Sequence, residues 1–171
     1  MSTASDVSNM GTATSGRRPN PPRPVAELDT EVRLAVYRFF VDHGRPPVPA
    51  EVASAVETNQ RSVEESFRRL ADAHVLVLAP GTPYIWMANP LSAVPTPFRV
   101  EASGRTFFGN CIWDALGVVA MLGGTGTVHT WCPDCGEPLS VSVEDDRLRS
   151  GRGIVHFAIP AARWWDDIGF N

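Results

Sequence analysis

The sequence predicts an α+β fold: an N-terminal winged-helix-like three-helix module followed by a mixed α/β domain with a mainly antiparallel sheet. Apolar residues recur at helical spacing in successive runs from Glu27 to Val75. Apolar and polar residues alternate instead in "TVHTW" and "PLSVSV", and one more helical run, "NCIWDALGVVAMLGG", precedes those strands. The 171 residues, 43% of them hydrophobic, suffice for one ordinary domain or two small ones.

Residues 1–24 are rich in Ser, Thr, Gly and Pro and close on "RRPNPPRP", which predicts a disordered tail. A helical module is expected over 25–92 and an α/β domain over 93–171. In "ELDTEVRLAVYRFF", Leu28, Val32, Ala35, Val36, Phe39 and Phe40 fall on one helical face, and Gly44 with a proline pair stops the helix. "VPAEVASAVET" predicts a short second helix with Val52, Ala55 and Val56 inward, and "NQRSVEESFRRLADAHV" a third carrying Val63, Phe67 and Leu70. Two extended runs then meet at Pro80-Gly81, a hairpin signal. Three helices and a hairpin are the order of a winged helix, whose third helix would present Arg61, Arg68 and Arg69 to DNA. Glu64 and Glu65 sit among those arginines, which is the pattern of a solvated face.

Pro90, Pro95 and Pro97 mark "NPLSAVPTPFRVEASG" as an extended linker. Beyond it, Ile112, Ala115, Leu116, Val119 and Leu122 share a helical face, with Asn110 the expected N-cap and Gly123-Gly124 the stop. "RGIVHFAIP" predicts a further strand, and "AARWWDDIGFN" adds aromatic bulk beside Asp166 and Asp167.

Net charge is −4 and the sequence pI about 5.5, so no broad basic surface exists to hold nucleic acid by counterion release. The chain has no run of 18 apolar residues and no apolar secretory core near its start, so a cytoplasmic protein without membrane partners is expected. Three cysteines, an odd number in a reducing compartment, point to ligands, nucleophiles or buried thiols rather than a disulfide framework.

Two stretches carry chemistry. Cys111, in the first turn of the predicted helix, would meet unpaired amides and the positive end of the helix dipole, which favour its thiolate. Asp114, three residues on, shares its face, and apolar neighbours such as Trp113 and Trp165 would raise the carboxyl's pKa so that it holds a proton. The blander reading makes Cys111 a small buried residue and Asp114 a first-turn carboxylate favoured by the dipole. Cys132-Pro-Asp-Cys135-Gly has the form of a two-thiolate knuckle, which His129 and His156 would complete as a metal site. It is half of a structural zinc signal, since no second cysteine pair exists.

Taken together, "NCIWDALGVVAMLGG", "HTWCPDCGEPLSVSV" and "IVHFAIPAARWWDDIGF" resemble the alkylmercury (organomercurial) lyases, a likeness extending over about residues 27–171. The resemblance implies a lyase of mercury detoxification that cleaves the carbon–mercury bond to a hydrocarbon and Hg(II). Cys111 would be the attacking thiolate, Asp114 the acid, and Cys132 a structural cysteine. Hg(II) would remain as bound product on thiols among Cys111, Cys132 and Cys135, then pass to small thiols or a mercuric reductase. A soft cation on a soft thiolate and proton delivery to carbon by an adjacent acid need no organic cofactor. The family's second catalytic cysteine follows the stretch matching "WWDDIGF", beyond Asn171, so the resemblance implies either a C-terminally truncated member with weak or no turnover or one in which Cys135 substitutes. A thiol-based Hg(II)/Zn(II) binding protein and a metal-responsive winged-helix regulator are the alternatives.

Overall fold

Val32, Val36 and Phe40, a turn apart on α1 (Val25–His43), are at most 1% exposed, and Val63, Phe67 and Leu70 meet them from α3 (Gln60–Asp72). Each such side chain contributes about 1.5–3 kcal/mol on burial. The computed structural model describes residues 23–169. The tail expected over 1–24 therefore lies, through residue 22, outside the described residues. Arg23 is anchored: it pairs with Glu31 and donates to the Val56 carbonyl at 3.2 Å.

Gly44 ends α1 in the left-handed region at φ 68°, its amide donating to the Phe40 carbonyl. Helix α2 (Pro49–Ala55) turns Val52 and Ala53 inward, whereas Ala55, expected inward, is exposed. Asn59 caps α3 by accepting from the Ser62 amide at 2.9 Å. Asp29 on α1 ties the two helices together, accepting from Ser66 Oγ at 2.6 Å and from Arg69 Nε and Nη2 at 2.9 and 2.7 Å. The expected hairpin follows as β1 (Val77–Leu78) and β2 (Ile85–Ala88), with β3 (Leu91–Ser92) completing a small antiparallel sheet.

The expected linker over 89–104 is instead partly β-structure: it carries β3 and then β4 (Arg99–Ala102), an inner strand of the larger sheet. Val100 and Ala102 are buried there while Arg99 and Glu101 face out. That sheet runs β5 (Arg105–Phe108), β4, β6 (Gly126–Trp131), β7 (Pro138–Glu144), β8 (Arg147–Ser150), antiparallel throughout. Phe107, Val100, Val128 and Val141 pair across its strands in one row. Helix α4 (Ile112–Met121) covers the sheet at β4 and β6 with Ala115, Val118 and Val119. Side chains of α1–α3 and of the larger sheet with α4 belong to one continuous hydrophobic cluster.

Strand β8 was not expected, and the strand expected in "RGIVHFAIP" is absent: residues 151–160 adopt no regular structure. Gly151 and Gly153, at φ 154° and 117°, break the extended run, and Ile154 is 95% exposed with no neighbouring strand. A 3-10 helix (Ala161–Asp166) follows. The fold is α+β.

Candidate active site

Strand β5 passes into α4 through a turn that only glycine fits. A Cβ on Gly109 would lie 2.4 Å from the Ala115 nitrogen and 2.7 Å from its Cα. The Gly109 carbonyl accepts from Thr96 Oγ1 at 2.6 Å, and its amide donates to the Phe98 carbonyl at 3.0 Å. With both backbone groups held, the following residues enter α4 in a fixed direction.

Cys111, rather than Asn110, is the N-cap. Its backbone is extended and its Sγ accepts from the Asp114 amide at 3.5 Å, the position a capping oxygen would take. The thiol's pKa is pushed up chiefly by burial, and the nearby Asp114 charge adds to this, while the amides of Asp114 and Trp113 pull the other way. The lowered pKa expected at a helix N-terminus is thus reversed. The amides do aim at sulfur, but the half-buried setting disfavours the thiolate more than they favour it.

Asp114 follows the same logic. Burial raises its carboxyl above the ordinary range, and the side-chain and backbone N–H groups of Asn110 partly offset this. The aromatic shield expected of Trp113 and Trp165 is engaged elsewhere. Trp113 is 63% exposed and meets Phe157 edge-on at 6.4 Å, while Trp165 stacks on His74 at 4.0 Å.

Asn110, expected from the sequence only as an N-cap, completes the cluster with Asn89 and Tyr37, which the sequence did not single out. Asn110 Nδ2 donates to Asp114 Oδ2 at 3.1 Å and to Asn89 Oδ1 at 3.0 Å, and Tyr37 of α1 donates its hydroxyl to the Asn89 carbonyl at 2.8 Å. The Tyr37 hydroxyl is itself held protonated, its pKa raised by burial and, more weakly, by the Asp114 charge. Asn110 Oδ1 is buried without a protein partner. The Asp114 carboxyl is thereby tied through Asn110 to the β2–β3 turn and α1, while the Cys111 sulfur is held by the Asp114 amide at the start of α4, and burial biases both groups toward the protonated form.

Cys132 and Cys135 lie on the turn joining β6 to β7. The amides of Cys135 and Asp134 and the thiol of Cys135 hydrogen-bond to the Cys132 sulfur, and together they lower its pKa against the opposing charge of Asp134. His129 is held on β6 by Glu101 at 3.2 Å and Ser140 at 3.3 Å, and His156 is exposed. Among the described residues no three His, Cys, Asp or Glu side chains gather to hold a metal ion. The structure therefore keeps Cys111 with Asp114 and Cys132 with Cys135 as two pairs. It does not bring Cys135 to the first pair, nor His129 and His156 to the second.

The α3 arginines are each paired with a carboxylate: Arg61 with Glu65 at 3.1 Å, Arg68 with Glu64 at 3.9 Å, and Arg69 with Asp29 at 2.7 Å. No helix among the described residues is long and apolar enough to cross a membrane.

A cysteine thus caps α4, and an aspartate whose pKa is raised by burial lies in the helix's first turn, on an α+β scaffold. Residues 91–170, which contain both, match the family model for MerB, alkylmercury lyase. An alkylmercury lyase of Staphylococcus epidermidis is 35% identical over 60 residues, covering 35% of this chain and 28% of that protein's length. The crystal structure of the mercury-bound form of MerB2 aligns with a TM-score of 0.54 at 22% identity, covering 74% of this chain and 67% of that one. At that identity the likeness establishes a shared fold.

Proposed function

We propose that the chain acts as an alkylmercury lyase, cleaving the carbon–mercury bond of an organomercurial by protonolysis to a hydrocarbon and Hg(II). The observation that supports this most directly is the placement of Cys111 Sγ 3.5 Å from the Asp114 amide, with the carboxyl tethered to Asn110. A thiol with a raised pKa needs a base as it binds mercury, and a carboxylate with a raised pKa is a better base than an ordinary aspartate. The S–H proton passes to Asp114 as the sulfur–mercury bond forms and the thiolate or halide opposite the organic group leaves mercury as an anion. A second thiolate, from a small thiol, then adds to mercury and increases electron density on the bound carbon. Asp114 returns its proton to that carbon: the electron pair of the C–Hg bond becomes the C–H bond, and mercury stays as the bis-thiolate of Cys111 and the small thiol until a second small thiol displaces Cys111 and its proton restores the S–H, with no change of oxidation state. Asn110 fixes one oxygen of that carboxyl by donating to it at 3.1 Å. Small thiols or a mercuric reductase are the acceptors this product calls for, and the free thiols suit a reducing cytoplasm.

The test is benzene release from phenylmercury in excess small thiol, comparing the native chain with Cys111→Ser and Asp114→Ala. Release that disappears in both variants is the expected result; release that survives either substitution overturns the assignment. A second reading, sequestration of Hg(II) or Zn(II) without cleavage, is favoured by the exposed Cys132–Cys135 turn. It predicts tight metal binding that Asp114→Ala leaves unchanged and no benzene. A DNA-binding regulator is disfavoured by the paired arginines of α3 and the net charge of −4.

A further inference from the structure

The β6–β7 turn is more closely built than a surface loop requires. It is closed at both ends by backbone hydrogen bonds of 2.8 Å, from the Cys132 amide to the Glu137 carbonyl and from the Gly136 amide to the Cys132 carbonyl. Pro133 restricts the backbone inside the turn, and Gly136 adopts φ 70°, which side chains other than glycine rarely tolerate. Within this frame Cys132 and Cys135 are separated by only Pro133 and Asp134, so both thiols are carried on one closed turn. Both thiols can be reached from solvent, Cys135 fully and Cys132 in part.

The ligand count selects the ion. A structural zinc site takes four protein ligands, and no third His, Cys, Asp or Glu joins this pair among the described residues. Two thiolates and nothing else suit a soft cation content with two sulfurs.

We propose that Cys132 and Cys135 form a second, self-contained site that binds Hg(II) as a two-coordinate dithiolate. Two S–H bonds are exchanged for two Hg–S bonds, two protons pass to solvent, and no atom is oxidised or reduced. The choice of Hg(II) rests on the lyase reading, because that reaction releases this ion. The site itself does not depend on that reading, and it is distinct from Cys111.

The experiment uses mercuric chloride and the full chain carrying Cys111→Ser, so that loss of lyase activity cannot influence the result. In excess glutathione, a monothiol competitor, native mass spectrometry is expected to show one Hg(II) retained per chain, with both remaining thiols protected from alkylation. Adding either Cys132→Ser or Cys135→Ser is expected to abolish retention. Gly136→Val keeps both sulfurs but opposes the turn's backbone, and it should weaken retention while circular dichroism stays native. Loss of the ion to glutathione in the parent, or retention unchanged in either serine variant, overturns the site. Unchanged retention in Gly136→Val shows two ordinary adjacent thiols and overturns the built turn. Zn(II) held as firmly as Hg(II) overturns the two-coordinate assignment.

Discussion

Cys111 and Cys132 each receive two backbone amides at sulfur, yet their acidities move in opposite directions. Cys111 sits where α4 enters the shared core, and burial outweighs its amides. Cys132 sits on an exposed turn, where the same kind of hydrogen bond prevails because water still solvates the thiolate. A hydrogen-bond pattern read without depth would assign the two sulfurs the same chemistry. Depth separates a thiol that burial holds toward its protonated form from one whose thiolate water still reaches.

The largest effect expected from disturbing this contrast comes from Gly109→Ala. The added methyl has no room against the Ala115 backbone, so the start of α4 must shift and carry Cys111 away from Asp114. Displacements of about 1 Å at reacting groups cost on the order of 100-fold in rate. Benzene release should fall by about that factor while alkylation of Cys132 keeps its native rate. An equal loss at both thiols would mean that the substitution unfolds the chain and would remove the claim of a local effect.

A smaller effect sharpens the comparison without changing the backbone. At pH 7 a small alkylating reagent should label Cys132 at least about tenfold faster than Cys111, because the more exposed sulfur is also the more acidic. The Cys132 rate should level off at a lower pH than that of Cys111. Mass spectrometry of labelled peptides over a pH series reads both, and equal rates would cancel the distinction drawn here.

How far such a contrast can be read from sequence follows from the range of the interactions involved. Helices α1, α3 and α4 were legible because Val32, Val36 and Phe40, or Ala115 and Val119, repeat at helical spacing within one segment. Strand β4 was hidden because Pro95 and Pro97 lead into it and only Val100 and Ala102 carry the alternation. "RGIVHFAIP" has the apolar content of a strand, but a strand also needs a partner edge, and nothing local reports whether one exists. At the site, the Cys111 and Asp114 spacing was visible because both residues lie within one turn of a helical run. The capping sulfur was missed because Asn110, one residue earlier, is the commoner N-cap type. Tyr37 reaches Asn89 across 52 residues, and Asn110 reaches it across 21. The Asn-Pro pair at 89–90 signals a turn, but no local pattern places that turn beside α4.

The smallest expected effect tests the buried side of the contrast through stability. Asp114 holds its proton more tightly in the folded chain than an ordinary aspartate does. Below the unfolded pKa, about 3.9, both states are protonated and the carboxyl imposes no penalty. Above it the unfolded chain releases the proton while the folded site resists, so stability falls as pH rises through the folded pKa. Asp114→Asn removes the ionisation and keeps an oxygen for the Asn110 amide to donate to. It should therefore stabilise the fold at pH 7, by less than about 1 kcal/mol because the position is only half-buried and solvent screens it. The gain should vanish near pH 3.5, where both proteins carry a neutral group. Thermal unfolding at the two pH values separates the contributions. A variant less stable than the native chain at pH 7 would show that the ionised carboxylate is stabilised there, and Asp114 could not then be the group that holds the proton.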